Sequence, residues 1–153
     1  MTLIIFFSGC IQSDSSKIDG VSTSINSHLQ KGDEYFNTAG SDANKFLYDM
    51  ALKNCDNATG EFNQARSFAA EGYTYAKNSN DTVYINYMQY VLDEIDAKLN
   101  ATNELKTAIP YLQNNDTVNA NDHVGNANQF MDIATQFNAK REEIIKQNPS
   151  KFK

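Results

Sequence analysis

The chain has 153 residues, which is enough for one domain that buries a core without metals or disulfides. Apolar residues make up 41% of it, and seven glycines and two prolines are few for the many turns of an all-β fold. The net charge of −6 argues against nucleic acid as a partner, because phosphate-backbone binding draws on clustered lysine and arginine. We therefore expect a helical domain that does not bind nucleic acid.

The N-terminal segment is an apolar run over residues 2–7 followed by Ser8, Gly9 and Cys10. A large apolar residue, two small residues and a cysteine resemble the lipobox of prokaryotic lipoproteins. The resemblance implies that residues 1–9 are the remnant of a signal peptide, which is cut before Cys10. It also implies that the Cys10 thiol carries a thioether-linked lipid. No lysine or arginine precedes the run, which a true start further upstream would explain.

The remaining chain divides into a tether and a folded domain. Residues 10–16 are interpreted as the lipidated cysteine with a short polar tether, and residues 17–153 as the helical domain. No later stretch approaches the roughly 20 apolar residues that span a bilayer. The resemblance thus implies a location at the cell membrane, on the extracytoplasmic face, with the lipid as the membrane anchor.

Helix one is predicted over residues 17–37, where apolar and small positions recur every three or four residues. These positions are Ile18, Val21, Ile25, Leu29, Gly32 and Phe36. Gly40 is predicted to end the helix in a left-handed conformation, and Ser41 to cap the next helix.

Helix two has the most regular pattern of the chain, with small residues and one large residue alternating by four and three. These residues are Ala51, Cys55, Ala58, Phe62, Ala65, Ala69, Gly72 and Ala76. This spacing is a heptad seam, and its small side chains allow a neighbouring helix to approach closely. Residues 56–60 have a loop-like composition that could split the element in two, but we expect one continuous helix.

Helix three follows a turn over residues 78–81, where Asn80 or Asp81 is predicted to cap it. Pro110 is expected to end or kink it, because proline disfavours helical geometry at the preceding residue. Its inward positions are Tyr84, Met88, Val91, Ile95, Leu99, Thr102, Leu105 and Ile109.

Helix four follows a polar loop over residues 113–117 and is predicted to stop at Pro149. Its inward residues are Val124, Ala127, Met131, Ala134 and Phe137, with Ile144 and Ile145 near its end. Long helices joined by short turns predict an all-α fold, an antiparallel up-and-down bundle of about four helices. In this topology helix four returns to the membrane, which would bring Lys146, Lys151, Phe152 and Lys153 near the lipid.

Signatures of catalysis and of tightly held metals are missing from the sequence. His28 and His123 lack the spacing of di-iron or zinc motifs. Cys55 lies in the predicted seam and is expected to act as a small hydrophobic residue. The carboxylates of Asp93, Glu94 and Asp96 are expected on the solvated face of helix three, because adjacent helical residues point apart. We therefore expect a protein that is not an enzyme and needs no cofactor.

Candidate binding and modification residues remain. Asn57, Asn80 and Asn115 begin Asn-x-Thr sequons and are candidate glycosylation sites, whereas the sequon at Asn100 falls inside a predicted helix. A hairpin of helices two and three would gather tyrosines at one end of the bundle, and tyrosine suits binding to proteins or sugars. The candidate partner-binding residues are Tyr73, Tyr75, Tyr84, Tyr87 and Tyr90.

Together these patterns predict a surface-exposed, lipid-anchored bundle that binds a protein or envelope partner, with carbohydrate as another candidate. One alternative is an extracytoplasmic sensory or small-ligand-binding four-helix module, although no transmembrane helix follows that could carry a signal. Another is a TPR-like interaction scaffold, suggested by residues 31–36, although no clear 34-residue period supports it.

Overall fold

Four long antiparallel helices form an all-α bundle in the computed structural model, which describes residues 14–152. The helices are α1 (Asp14–Asn44), α2 (Tyr48–Asn78), α3 (Thr82–Gln113) and α4 (Thr117–Gln147). The predicted fold class is confirmed. The signal peptide remnant and Cys10 lie outside the described residues, and residues 14–16 of the proposed tether form the start of α1.

The predicted end of helix one is wrong. α1 continues through Gly40 and Ser41 to Asn44, and Gly40 keeps a helical backbone. Ala39 and Ala43 on either side of Gly40 are buried in a cluster that includes α2 residues. Burial of this helix face outweighs the cost of roughly 1 kcal/mol that a glycine imposes on a helix interior.

The three connections between helices share one backbone geometry. A residue with positive φ follows each helix, namely Phe46, Asn80 and Asn115. Its N–H and the next N–H donate to carbonyls three and five residues earlier, as in Leu47 N to Asp42 O at 2.9 Å. These are Schellman motifs, which satisfy the free carbonyls of a helix end.

The turns differ in sequence although their geometry is shared. Asn80 and Asn115 are each followed by an aspartate that caps the next helix, since Asp81 accepts from the backbone of α3 and Asp116 from that of α4. Asparagine tolerates positive φ, and aspartate is a favoured N-cap. At the first turn Leu47, not Ser41, holds the N-cap position, and it makes no side-chain cap hydrogen bond.

The heptad seam of α2 is confirmed, because all eight of its positions are buried and the helix runs unbroken through residues 56–60. Its largest residue, Phe62, is fully buried, and its ring occupies the space that a Cβ would take at Gly32 of α1. At Gly72 a Cβ would lie 2.9 Å from Cε of Met88. Two glycines therefore set how closely α2 packs against α1 and α3.

The packing order follows the chain: α1 packs on α2, α2 on α3 and α3 on α4, and α1 also contacts α3. α3 lies at the centre and has the longest set of buried residues, whereas α4 buries only Ala120, Ala127 and Ala134. Within the described chain, no Cα of α1 comes within 8 Å of a Cα of α4. The bundle is therefore open along the seam between its first and last helices.

Pro110 does not end helix three as predicted, because α3 continues through it to Gln113. α4 ends at Gln147, just before Pro149, as predicted. Each helix has 31 or 32 residues. A TPR motif divides its 34 residues between two helices, so each helix of this bundle is about twice as long as a TPR helix. Among residues 14–152, none of the four helices contains an apolar stretch of the length that spanning a bilayer requires.

We expect Gly32→Ala to lower the free energy of unfolding by about 1 to 3 kcal/mol, because the added methyl overlaps the buried Phe62 ring. Gly20→Ala is the matched control on the same helix, since a Cβ there meets no atom within 4 Å. This control should be neutral or raise stability by up to about 1 kcal/mol. Urea unfolding followed by circular dichroism measures both, and equal effects would contradict the close packing at Gly32.

Candidate functional site

A cluster of four charged residues lies between the helices. We call Asp33, Glu94, Lys98 and Arg141 the charged cluster. Lys98 Nζ lies 2.6 Å from Asp33 Oδ1 and 3.8 Å from Glu94 Oε1, and Arg141 Nη1 lies 3.3 Å from Glu94 Oε2. Lys98 Nζ also lies 5.9 Å from the centroid of the Phe62 ring. The cluster therefore joins side chains of α1, α3 and α4, and its lysine also contacts the Phe62 ring of α2.

The expectation that Glu94 lies on a solvated helix face is wrong. Glu94 is only 4% exposed, and its burial raises the pKa of its carboxyl while Arg141 and Lys98 act in the opposite direction. Its position leaves no open approach for a substrate. Losing one partner would leave an uncompensated buried charge, so the cluster is best understood as a link between helices.

The five candidate tyrosines lie around the α2–α3 turn, at the end of the bundle where α1 begins and α4 ends. Two of them are covered by the chain itself: Tyr84 and Tyr87 are buried, with the Phe152 ring centroid at 5.2 and 4.9 Å. The Tyr84 hydroxyl also donates to the Lys151 carbonyl at 2.5 Å. These two rings therefore leave little surface for a partner.

The other three tyrosines are half-buried, and each has a lysine ammonium near its ring. Lys77 lies 5.0 Å from the ring centroid of Tyr73, Lys17 lies 5.3 Å from that of Tyr75, and Lys140 lies 5.5 Å from that of Tyr90. These three rings keep some surface that a protein or carbohydrate could contact.

The segment after α4 folds back onto the α2–α3 turn. Lys151 forms an ion pair with Asp81, the N-cap of α3, and Phe152 packs against the larger core cluster. The hydrogen bond from Lys151, followed by backbone N–H groups of α3, lowers the pKa of the Asp81 carboxyl. Lys151 and Phe152 thus fasten α4 to the hairpin of α2 and α3.

We expect Lys151→Met to lower the free energy of unfolding by up to about 1 kcal/mol near pH 7. Because the folded pKa of Asp81 lies below its unfolded value, this stabilisation exists above the unfolded pKa and disappears as the pH falls through the folded one. The difference from wild type should therefore shrink below about pH 4. Chemical unfolding over this range measures it, with exposed Lys146→Met as control. A difference independent of pH would contradict the Asp81 pairing.

The candidate glycosylation sites divide into two kinds. Asn57 lies inside α2 and is half-buried, as Asn100 lies inside α3, so both are poor acceptors. Asn80 and Asn115 are exposed at the positive-φ positions of two turns. There the triplet Asn-Asp-Thr ends one helix and begins the next, which gives these two sequons a structural role whether or not a glycan is attached.

The two histidines occupy similar settings in the two hairpins. His28 Nδ1 lies 2.6 Å from Glu61 Oε2, and the ring stacks on Phe68. His123 Nδ1 lies 2.7 Å from Glu104 Oε2, and its ring stacks on a tyrosine, Tyr111. The hydrogen bond from His123 lowers the pKa of Glu104. In residues 14–152 no group of three or more histidine, cysteine or acidic side chains could hold a metal.

Cys55 is fully buried in the α2 seam, and burial raises the pKa of its thiol to about 11. A thiol with this pKa remains protonated at neutral pH and is a poor nucleophile.

The opposite end of the bundle carries an exposed apolar surface that the sequence patterns did not predict. Phe46 is 77% exposed, Leu47 43%, Met50 54% and Val118 72%, and we call these residues the apolar tip. The hydroxyl of Tyr48 donates to the carbonyl of Leu112 at 3.3 Å, which ties the α1–α2 turn to the end of α3. The sequence analysis did not predict this turn, because it placed the end of helix one at Gly40.

No protein-family model matches the chain, and neither a curated protein nor a solved structure is significantly similar to it. Function is therefore inferred from the residues and their arrangement.

Proposed function

We propose that this chain is a lipid-anchored, extracytoplasmic helical bundle that binds a protein partner and catalyses no reaction. The observation that supports it most directly is the apolar tip. The tip lies at the end of the bundle opposite the start of α1, and α1 begins four residues after the lipobox-like cysteine.

The geometry of the bundle suits such an anchor. A lipid on Cys10 would hold the start of α1 at the membrane surface. α1 has 31 residues, so at about 1.5 Å per residue its far end is roughly 45 Å away. The apolar tip would then face outward from the membrane, where a partner can reach it.

The residues of the α1–α2 turn are less favourable for folding than those of the other two turns. Phe46 holds a positive φ of 62°, which is unfavourable for a bulky residue, and Leu47 provides no capping oxygen. The equivalent positions elsewhere are asparagine and aspartate. The Phe46 ring makes an edge-to-face contact with Tyr48, at 6.3 Å between ring centroids, but the residue stays 77% exposed. Binding to a partner therefore accounts for phenylalanine and leucine here better than folding does.

Aromatic residues and methionine are enriched in protein–protein interfaces relative to the rest of the surface. Phe46 and Leu47 are adjacent, and Met50 lies in the first turn of α2 that follows them. We propose that Phe46 inserts into an apolar pocket of the partner while Leu47 and Met50 contact its rim.

The anchor is tested with the two cysteines of the chain. In cells, Cys10→Ser should move the protein from the membrane fraction to the soluble fraction and remove the mass of the lipid. Cys55→Ala, which leaves the lipobox-like segment intact, should remain with the membrane and keep that mass. Membrane retention of Cys10→Ser, or an unmodified mass for the wild-type protein, would refute the anchor.

The partner surface is tested by giving the first turn the residues of the other two. We expect Phe46→Asn with Leu47→Asp to raise the free energy of unfolding by about 1 kcal/mol, through the added cap and the relieved backbone. The same double variant should abolish a crosslinked adduct formed on intact cells from a photoreactive residue at position 50.

A photoreactive residue at the exposed position 64, midway along α2, is the control and should give no such adduct. An adduct that persists in the double variant, or that forms equally from position 64, would exclude the tip as the partner surface.

A further inference from the structure

The open seam between α1 and α4 contains a cavity of about 200 Å³. The cavity is lined by Phe36, Gly40, Ala43, Asn44, Leu105, Leu112, Val124, Ala127 and Asn128. We propose that this cavity, which we call the α1–α4 cavity, binds a small, neutral, largely apolar molecule. This ligand is distinct from the protein partner, and its binding does not depend on the lipid anchor.

The cavity exists because small residues face each other where the backbones stay apart. Gly40 and Ala43 of α1 lie across from Ala127 of α4, and no Cα of one helix approaches the other within 8 Å. A Cβ at Gly40 would meet no atom within 4 Å. At Gly32, in contrast, the buried Phe62 ring takes up the space, so Gly32 and Gly40 have opposite surroundings on the same helix.

The lining determines the class of ligand. Phe36, Leu105, Leu112 and Val124 form apolar walls, and no charged side chain is among the lining residues. A charged molecule would lose its hydration there without gaining a counter-charge. Exposed amides of asparagine lie at the edge and can form a hydrogen bond with one hydroxyl or carbonyl of the ligand.

The volume restricts the ligand further. A helix is about 10 to 12 Å wide with its side chains and does not fit. An apolar cavity of about 150 Å³ holds benzene, so about 200 Å³ suits a molecule of up to roughly ten non-hydrogen atoms. A medium-chain alcohol, a small ketone and a one- or two-ring aromatic all fall in this class.

Two other cavities are less suited to such a ligand. One lies between α3 and α4, and its lining includes the carboxylates of Asp93 and Asp96. Another is lined by Lys140 and Glu143 together with polar residues. Of the three, only the α1–α4 cavity has an uncharged lining.

The test uses the full chain with Cys10→Ser, so that no attached acyl chain competes with the probe. We would titrate 1-hexanol, indole and hexanoate separately and follow the methyl NMR signals of Leu105, Leu112 and Val124. Hexanol and indole should shift these signals saturably, whereas hexanoate should bind at least tenfold more weakly.

Gly40→Leu should fill the cavity and weaken hexanol binding at least tenfold. Gly20→Leu is the matched control, because it adds the same side chain to the same helix at a position where a Cβ also meets nothing within 4 Å. It should bind like the parent chain. Val124→Phe narrows the cavity from the α4 side. If Gly40→Leu does not fold, hexanol binding is measured with Val124→Phe instead.

Three results would overturn the proposal. The first is no saturable shift with either neutral probe up to its solubility limit. The second is equal hexanol binding by the parent chain and by a folded variant, Gly40→Leu or Val124→Phe, whose new side chain fills the cavity. The third is a dimer in sedimentation that Gly40→Leu or Val124→Phe converts to monomer, because a side chain of a second copy would then occupy the cavity.

Discussion

The insertion of the Phe62 ring beside Gly32 sets the separation of α1 and α2, and several further contacts depend on it. Asp33, the neighbour of Gly32, lies within 2.6 Å of the Lys98 ammonium, which lies above the same ring. Lys98 and Glu94 lie one helical turn apart on α3, and Glu94 then pairs with Arg141 of α4. One close aromatic contact between α1 and α2 thus supports ion pairs that link α1, α3 and α4.

The helices are not held equally. α2 and α3 bury long rows of residues, whereas α4 fully buries only three alanines. Its half-buried Ile144 and Ile145 pack against the larger core cluster, and polar contacts to α3 are spread along its length. These contacts are His123 with Glu104, Arg141 with Glu94, and Lys151 with Asp81 after the helix ends. Since α4 packs on α3 and not on α1, the seam that contains the α1–α4 cavity stays open.

Periodicity predicted the buried faces of α1, α2 and α3 well, because burial along a long helix repeats every three or four residues whatever the neighbour is. All eight seam positions of α2 were found in this way. Periodicity predicted α4 less well, because only Ala127 and Ala134 of its seven predicted inward residues are buried. Helix ends were harder to predict, since Gly40 has the residue type of a terminator but lies between two alanines that are buried in one cluster. Residue type therefore gave the wrong boundary where tertiary packing favoured a longer helix.

The candidate site was predictable only where the signal was local. The tyrosines do gather at one end, but the covering of Tyr84 and Tyr87 by Phe152 depends on a residue more than 60 positions away. The burial of Glu94 depends likewise on Arg141 of another helix. The apolar tip was not predicted, because phenylalanine rarely adopts a positive φ and its residue type does not indicate a turn at Phe46.

The Asn-Asp-Thr triplets have a practical consequence for studies of glycosylation. Replacing Asn80 or Asn115 would remove the attachment point but also the residue best suited to positive φ, so a weakened fold could be mistaken for the loss of a glycan. Thr82 and Thr117 are exposed first residues of their helices and are outside both the turn and the cap. Alanine at these threonines abolishes each sequon while leaving the helix boundary intact, and any remaining change in behaviour then reports on the sugar alone.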